Sequence, residues 1–205
     1  MKYDPGKHHR RSIRLKGYDY TQMGAYFVTV VTKDRECLFG EVTDRNTRLN
    51  DTGRLIERWW VELNHKFPMV ETDEFVVMPN HFHGIIVLTD VRVGADLRVG
   101  PASDRKGGNA GEGAHIVAPL RASLPRIVQW FKTMTTNECI RGVKQFGWTE
   151  LPGRLWQRNY YEHAIRSQKS LDRIRQYIIE NPTNWEFDHE NPAATILEPL
   201  DPRRG

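Results

Sequence analysis

The sequence predicts an α+β domain, with helices packed on one face of a largely antiparallel sheet. Three observations predict it. Apolar, β-branched runs at 25–32 and 76–88 read as strands. Three stretches, beginning near Asn50, Ser123 and Lys169, space their apolar residues as helices do. The resulting order is β, α, β, β, α, β, α. At 205 residues, 39% of them hydrophobic, the chain suits one domain with irregular extensions.

The elements follow in order. Residues 1–24 read as a polar, basic arm, and 25–187 as the domain. Ala25 to Thr32 is the first strand. Asn50-Asp51-Thr52-Gly53 offers caps for a helix from Arg54 to about Lys66, with Leu55, Ile56, Trp59 and Leu63 as its apolar stripe and Pro68 beyond its end. Glu74 to Pro79 and His81 to Thr89 form two strands joined by a tight turn at Pro79-Asn80. Residues 91–119, rich in glycine, alanine and charge, read as a flexible insertion. A second helix runs from Ser123 or Leu124 to about Arg141, with Ile127, Trp130, Phe131 and Met134 inward and Pro125 in its first turn. Leu155 to Ile165 reads as a strand, and Lys169 to Asn181 as a helix stopped by Pro182. Residues 188–205 are an acidic tail that ends with Arg203 and Arg204.

Charge and cysteines bound the function. The net charge of +4 tilts the chain toward a polyanionic partner. Basic residues cluster at Lys7 to Lys16, including Arg10, Arg11 and Arg14, and again from Arg154 to Arg175. Cys37 and Cys139 lie far apart, which argues against a disulfide scaffold or a cysteine zinc site and suits a reducing cytoplasm. No apolar stretch approaches the length of a membrane span, and no signal peptide is expected.

The chemistry concentrates at two places. His81 and His83 flank Phe82 on a strand, so both imidazoles face one way. They read either as two ligands for a divalent metal or as two hydrogen-bonded structural histidines, and such a pair also occurs in zinc hydrolases. Gly84 leaves room for something bulky to approach the strand. On the last helix, Leu171, Ile174 and Ile178 form the apolar stripe, and Tyr177 and Asn181, four apart, share a line at its edge. Asn181 offers a hard amide oxygen suited to Mg²⁺ or Mn²⁺, and a tyrosine beside a metal can act as a nucleophile toward phosphorus. Tyr160 and Tyr161 are rival tyrosines on opposite faces of a strand; His163 shares the face of Tyr161. Arg154, Arg158, Arg166, Lys169, Arg173 and Arg175 surround Tyr177 in sequence and suit phosphates, while Trp156 could stack on an unpaired base or belong to the core. No phosphate-binding Gly-x-x-x-x-Gly-Lys-Ser/Thr loop is present.

Three motifs, Val-Met-Pro-Asn-His-Phe-His-Gly at 77–84, Leu-Trp-Gln-Arg-Asn-Tyr-Tyr-Glu-His at 155–163 and Ile-Arg-Gln-Tyr-Ile-Ile-Glu-Asn-Pro at 174–182, resemble the REP-associated tyrosine transposases. These belong to the wider HUH single-tyrosine transposases. The resemblance spans roughly residues 15–187 outside the insertion. It implies a ferredoxin/RRM-like antiparallel sheet, with His81 and His83 as metal ligands, Asn181 as the third ligand and Tyr177 as nucleophile. It further implies Mg²⁺ or Mn²⁺ as cofactor, and cleavage and rejoining of single-stranded DNA at palindromic hairpins. A bacterial, nucleoid-associated protein is implied, as monomer or homodimer. Two other readings stay open: a hairpin-binding module without catalysis, and a zinc-dependent hydrolase, for which the sequence near His83 offers no evident third ligand.

Overall fold

The computed structural model describes residues 19–90, 122–151 and 153–194. The arm residues Arg10, Arg11 and Arg14, and the 91–119 insertion, lie outside them. The elements are β1 (Gly24–Val31), β2 (Gly40–Thr43), β3 (Asn46–Leu49), α1 (Asp51–Lys66), β4 (Val70–Val77), β5 (His81–Leu88), α2 (Leu124–Phe146), β6 (Tyr161–Ile165) and α3 (Gln168–Glu180).

Four strands form one antiparallel sheet in the order β4-β5-β1-β6. Two β-α-β units interleaved in this way give the ferredoxin/RRM-like arrangement. β1 and β5 are central and buried on both faces, which is why they read as continuous apolar runs rather than alternating ones.

The helices divide between the two faces, against the expectation of one. Tyr26, Val28, Val30, Phe82 and Ile86 meet α1 and α2 in the larger core. Phe27 and Ile85 meet Ile174 and Ile178 of α3 in a smaller one. Strand alternation sends odd-numbered residues of β5 toward α3 and even-numbered ones toward α1 and α2.

Gly84 therefore opens toward α1. A Cβ there would lie 2.5 Å from Trp60 Cζ2, so the bulky neighbour its small size admits is the Trp60 ring, on the face away from the histidines. Trp60, not Trp59, is the buried tryptophan of α1. Trp59 sits at the rim, edge-on to Trp130 at 5.5 Å.

Local signals account for the helix ends. Asn50 caps α1 by accepting from the Gly53 amide, and Ser167 caps α3 by accepting from Ser170. α2 runs past Arg141 and closes at Gly147, whose φ of 67° is left-handed. β6 is shorter than expected. Leu155 and Trp156 instead leave the sheet by a single bridge from Trp156 to Thr32. The loop between is fastened by Lys132, whose ammonium donates to the carbonyls of Gln157, Arg158 and Asn159 at 2.6, 3.2 and 3.4 Å. Burial pulls this ammonium down to about 8.

Candidate active site between β5 and α3

His81 and His83 are both buried on the α3 face, their ring centroids 4.5 Å apart. His83 lies opposite Thr29 of β1. The threonine hydroxyl is 2.8 Å from His83 Nδ1, and the Phe27 ring stacks against the imidazole at 5.3 Å. These contacts aim His83 Nε2 at the Tyr177 hydroxyl, 3.4 Å away, the length of a loose hydrogen bond. Tyr177 reaches that point because Ile174 and Ile178, on the same stripe of α3, are pinned against Phe27 and Ile85. Arg175 fastens the helix from its flank: its guanidinium makes a two-pronged pair with Asp73 of β4 at 2.9 and 2.5 Å and holds the Asp73 carboxyl below its ordinary range.

Asn181 caps the end of α3 and is buried. Among the described residues its Oδ1 has no hydrogen-bond partner, and neither has His81 Nε2. Beside them stands a residue the sequence reading missed. After α3 the chain makes a turn at Trp185–Phe187 and then buries Asp188. Asp188 Oδ1 accepts from the Glu190 amide at 2.7 Å, and its Oδ2 stands 3.7 Å from His81 Nε2. The Trp185 ring lies over His81 at 5.9 Å. One atom each from His81, His83 and Asp188 fall within 4.8 Å of one another.

Two imidazoles, a carboxylate and an amide oxygen with no donor of its own thus converge in a buried space. Orphaned acceptors next to a carboxylate are costly unless something positive joins them. Mixed nitrogen and hard-oxygen donors fit a divalent cation.

Burial pulls the His81 imidazole below its ordinary value. The nearby Asp188 and Glu190 carboxylates and the Asn181 amide act the other way, and burial prevails. The sign of the effect on stability follows. As pH falls through the usual imidazole value of 6.5, the unfolded chain takes up a proton that folded His81 refuses, so stability drops in acid. One such proton gives at most about 1.4 kcal/mol per pH unit. Urea unfolding of metal-free protein across pH 5–8 is expected to show this slope, and His81→Gln to reduce it. An identical slope in the variant would contradict the assignment.

The structure brings together His81, His83, Tyr177 and Asn181, and adds Asp188 from beyond residue 187. Other expected contacts are corrected. Trp156 is a core residue: it is buried, its Nε1 donates to Thr135 Oγ1 at 2.9 Å, and its ring packs on Phe39 and Phe131. It presents no face to a base. Arg175 is committed to Asp73 and Asp172 rather than open to a phosphate. Arg154, Arg158, Arg166, Lys169 and Arg173 are exposed. Tyr160 packs into the larger core and Tyr161 into the smaller, so they do face opposite ways. His163 is half-buried, its imidazole held below the ordinary value by burial first and then by Arg166 and Arg173. No helix among the described residues is long and apolar enough to cross a membrane.

No family model matches the chain. Over 193 residues it is 40% identical to a Haemophilus influenzae protein described as uncharacterized, spanning 91% of this chain and 96% of that one. A second protein of that organism, described as a "Putative REP-associated tyrosine transposase", is 23% identical over 164 residues, 80% of this chain and 73% of the other. Among solved structures, that of a REP-associated tyrosine transposase bound to a REP hairpin covers 85% of this chain and 74% of its own, at 19% identity and a TM-score of 0.50. That last likeness is one of fold.

Proposed function

We propose that the chain is a member of the REP-associated tyrosine transposases, to one of which it is 23% identical, and that it cuts and rejoins single-stranded DNA at REP-type hairpins through a 5′-phosphotyrosine. The observation that carries this reading is the approach of the Tyr177 hydroxyl to His83 Nε2 at 3.4 Å, beside the buried acceptor group of His81, Asp188 and Asn181.

His81, His83 and Asp188, with the Asn181 amide oxygen, would hold Mg²⁺ or Mn²⁺. When bound, such an ion polarises a phosphate and offsets its negative charge. The Tyr177 oxygen attacks phosphorus, the bond to the 3′ oxygen breaks, and the departing strand leaves as a 3′-hydroxyl while its former phosphate stays on the tyrosine. A 3′-hydroxyl then attacks the phosphotyrosine, reversing the step and joining a strand. Each step exchanges one phosphodiester bond for another, so no nucleotide energy source is required. Exposed Arg154, Arg158, Arg166, Lys169 and Arg173 supply the counter-charge for the DNA backbone. We assign the activity to residues 25–187 together with the segment through Asn191 that closes the site, acting at the bacterial nucleoid.

The test is a labelled hairpin with a single-stranded 5′ flank, incubated with protein and Mn²⁺ and then denatured. A protein-linked strand is expected with Mn²⁺ and none with excess EDTA, and hairpin affinity is expected to fall steeply with added salt. Adduct of equal yield in EDTA would refute the metal role. Asp188 also favours a second reading, since a His-His-Asp set suits a hydrolytic Zn²⁺ site. That reading requires the strand to be cut without any protein-linked product.

A further inference from the structure

The neighbour that precedes the histidine pair, Asn80, is fully buried and makes three side-chain contacts. Its Nδ2 lies 3.0 Å from the carbonyl oxygen of Arg35 and 2.6 Å from that of Glu190. Carbonyl oxygens only accept, so these two contacts decide which end of the amide is the NH₂ group. Its Oδ1 is therefore the atom 2.9 Å from His81 Nδ1. An amide oxygen also only accepts, so Nδ1 carries the proton. In the neutral ring the lone pair then stands on Nε2, the atom turned toward Asp188.

We infer that Asn80 is a positioning residue: it fixes His81 in the tautomer whose Nε2 is free to bind a cation, and the backbone at Arg35 and Glu190 fixes Asn80. The link to catalysis rests on the metal reading above; the tautomer does not. The competing state is concrete. With Asn80 gone, the Nε2–H tautomer can donate to Asp188 Oδ2, a stronger acceptor than an amide oxygen, and the ligand atom is masked. The last described stretch of chain thus acts on the site twice, through the Asp188 carboxylate and through the Glu190 carbonyl. Asn80 does not touch the reacting atoms.

Long-range ¹H–¹⁵N spectra of the imidazoles in metal-free protein test this, with the His81 signals assigned by their loss in His81→Gln. Wild type is expected to show a bare Nε2. Asn80→Leu is expected to move the proton to Nε2 and weaken Mn²⁺ binding by about 10–100-fold. Asn80→Asp gives up the two donations to Arg35 and Glu190 but keeps an acceptor for Nδ1, so the proton is expected to stay on Nδ1 with the side chain less firmly fixed. A wild-type His81 protonated on Nε2 would overturn the inference, as would Mn²⁺ affinity unchanged in Asn80→Leu. Should Asn80→Leu fail to fold, the wild-type and Asn80→Asp spectra decide. A bare Nε2 in a wild type that binds no Mn²⁺ supports the tautomer assignment and sinks the metal reading alone.

Discussion

Tyr177→Phe is expected to abolish the covalent protein–DNA adduct, lowering its yield by at least about a thousandfold. The substitution removes only the Tyr177 hydroxyl oxygen. The ring keeps its edge-on contact with Phe27 at 6.1 Å, and the lost hydroxyl costs the fold no more than about 1 kcal/mol. Neither rival tyrosine can take over in place. Tyr160 lies in the opposite core, and Tyr161, though on the α3 face, stands opposite Thr29 on the outer strand. Denaturing gels of wild type, Tyr177→Phe and Tyr161→Phe with the labelled hairpin separate the cases. Adduct that survives Tyr177→Phe and disappears in Tyr161→Phe would transfer the nucleophile's role to Tyr161.

Trp156→Ala is expected to destabilise the fold by about 3–5 kcal/mol, the usual loss for emptying a large aromatic site in a core. The ring fills the space between Phe39 and Phe131, and its indole nitrogen is bonded to Thr135. Trp156→Phe keeps most of the volume and forfeits that hydrogen bond, which is worth about 1 kcal/mol. Urea unfolding reads both changes. Hairpin affinity of folded Trp156→Phe is expected to match wild type, because the ring has no open face. A tenfold loss of affinity in that variant at undiminished stability would return Trp156 to the DNA-binding surface.

Sequence and structure agree where a short-range rule governs placement. His81 and His83 share a face because strands alternate, and Tyr177 and Asn181 share a line because helices repeat near four; neither relation depends on the rest of the fold. Asp188 escaped because its partner is His81, far back in the chain, and it sits in an acidic stretch with no periodicity to mark it. β2 and β3 escaped because each is four residues long and their turn, Asp44-Arg45, takes positive φ values of 53° and 62° without the asparagine or glycine that usually announces such a hairpin. Trp59 and Trp60 are adjacent, so one step of phase on α1 decides which is buried. The packing of Trp60 against Gly84 decided it. Lys132 falls in the buried stripe of α2, where a charge contradicts the binary pattern. Its reason, three loop carbonyls, exists only once the chain is folded.

The break in β4 bears on how neighbouring molecules meet. Among the described residues the sheet ends in two edge strands, β4 and β6. Pairing along β4 slips between Thr72 and Phe75, and at the slip Asp73 is gripped by Arg175 of α3. β6 is only five residues long and carries Glu162 and His163. A strand approaching from another chain finds a kink and charge on one side and little length on the other, in place of a straight row of unpaired amides. Edges of this kind discourage sheet-to-sheet growth and aggregation. The ion pair that secures α3 thus also leaves β4 a poor edge for a strand from another molecule to extend.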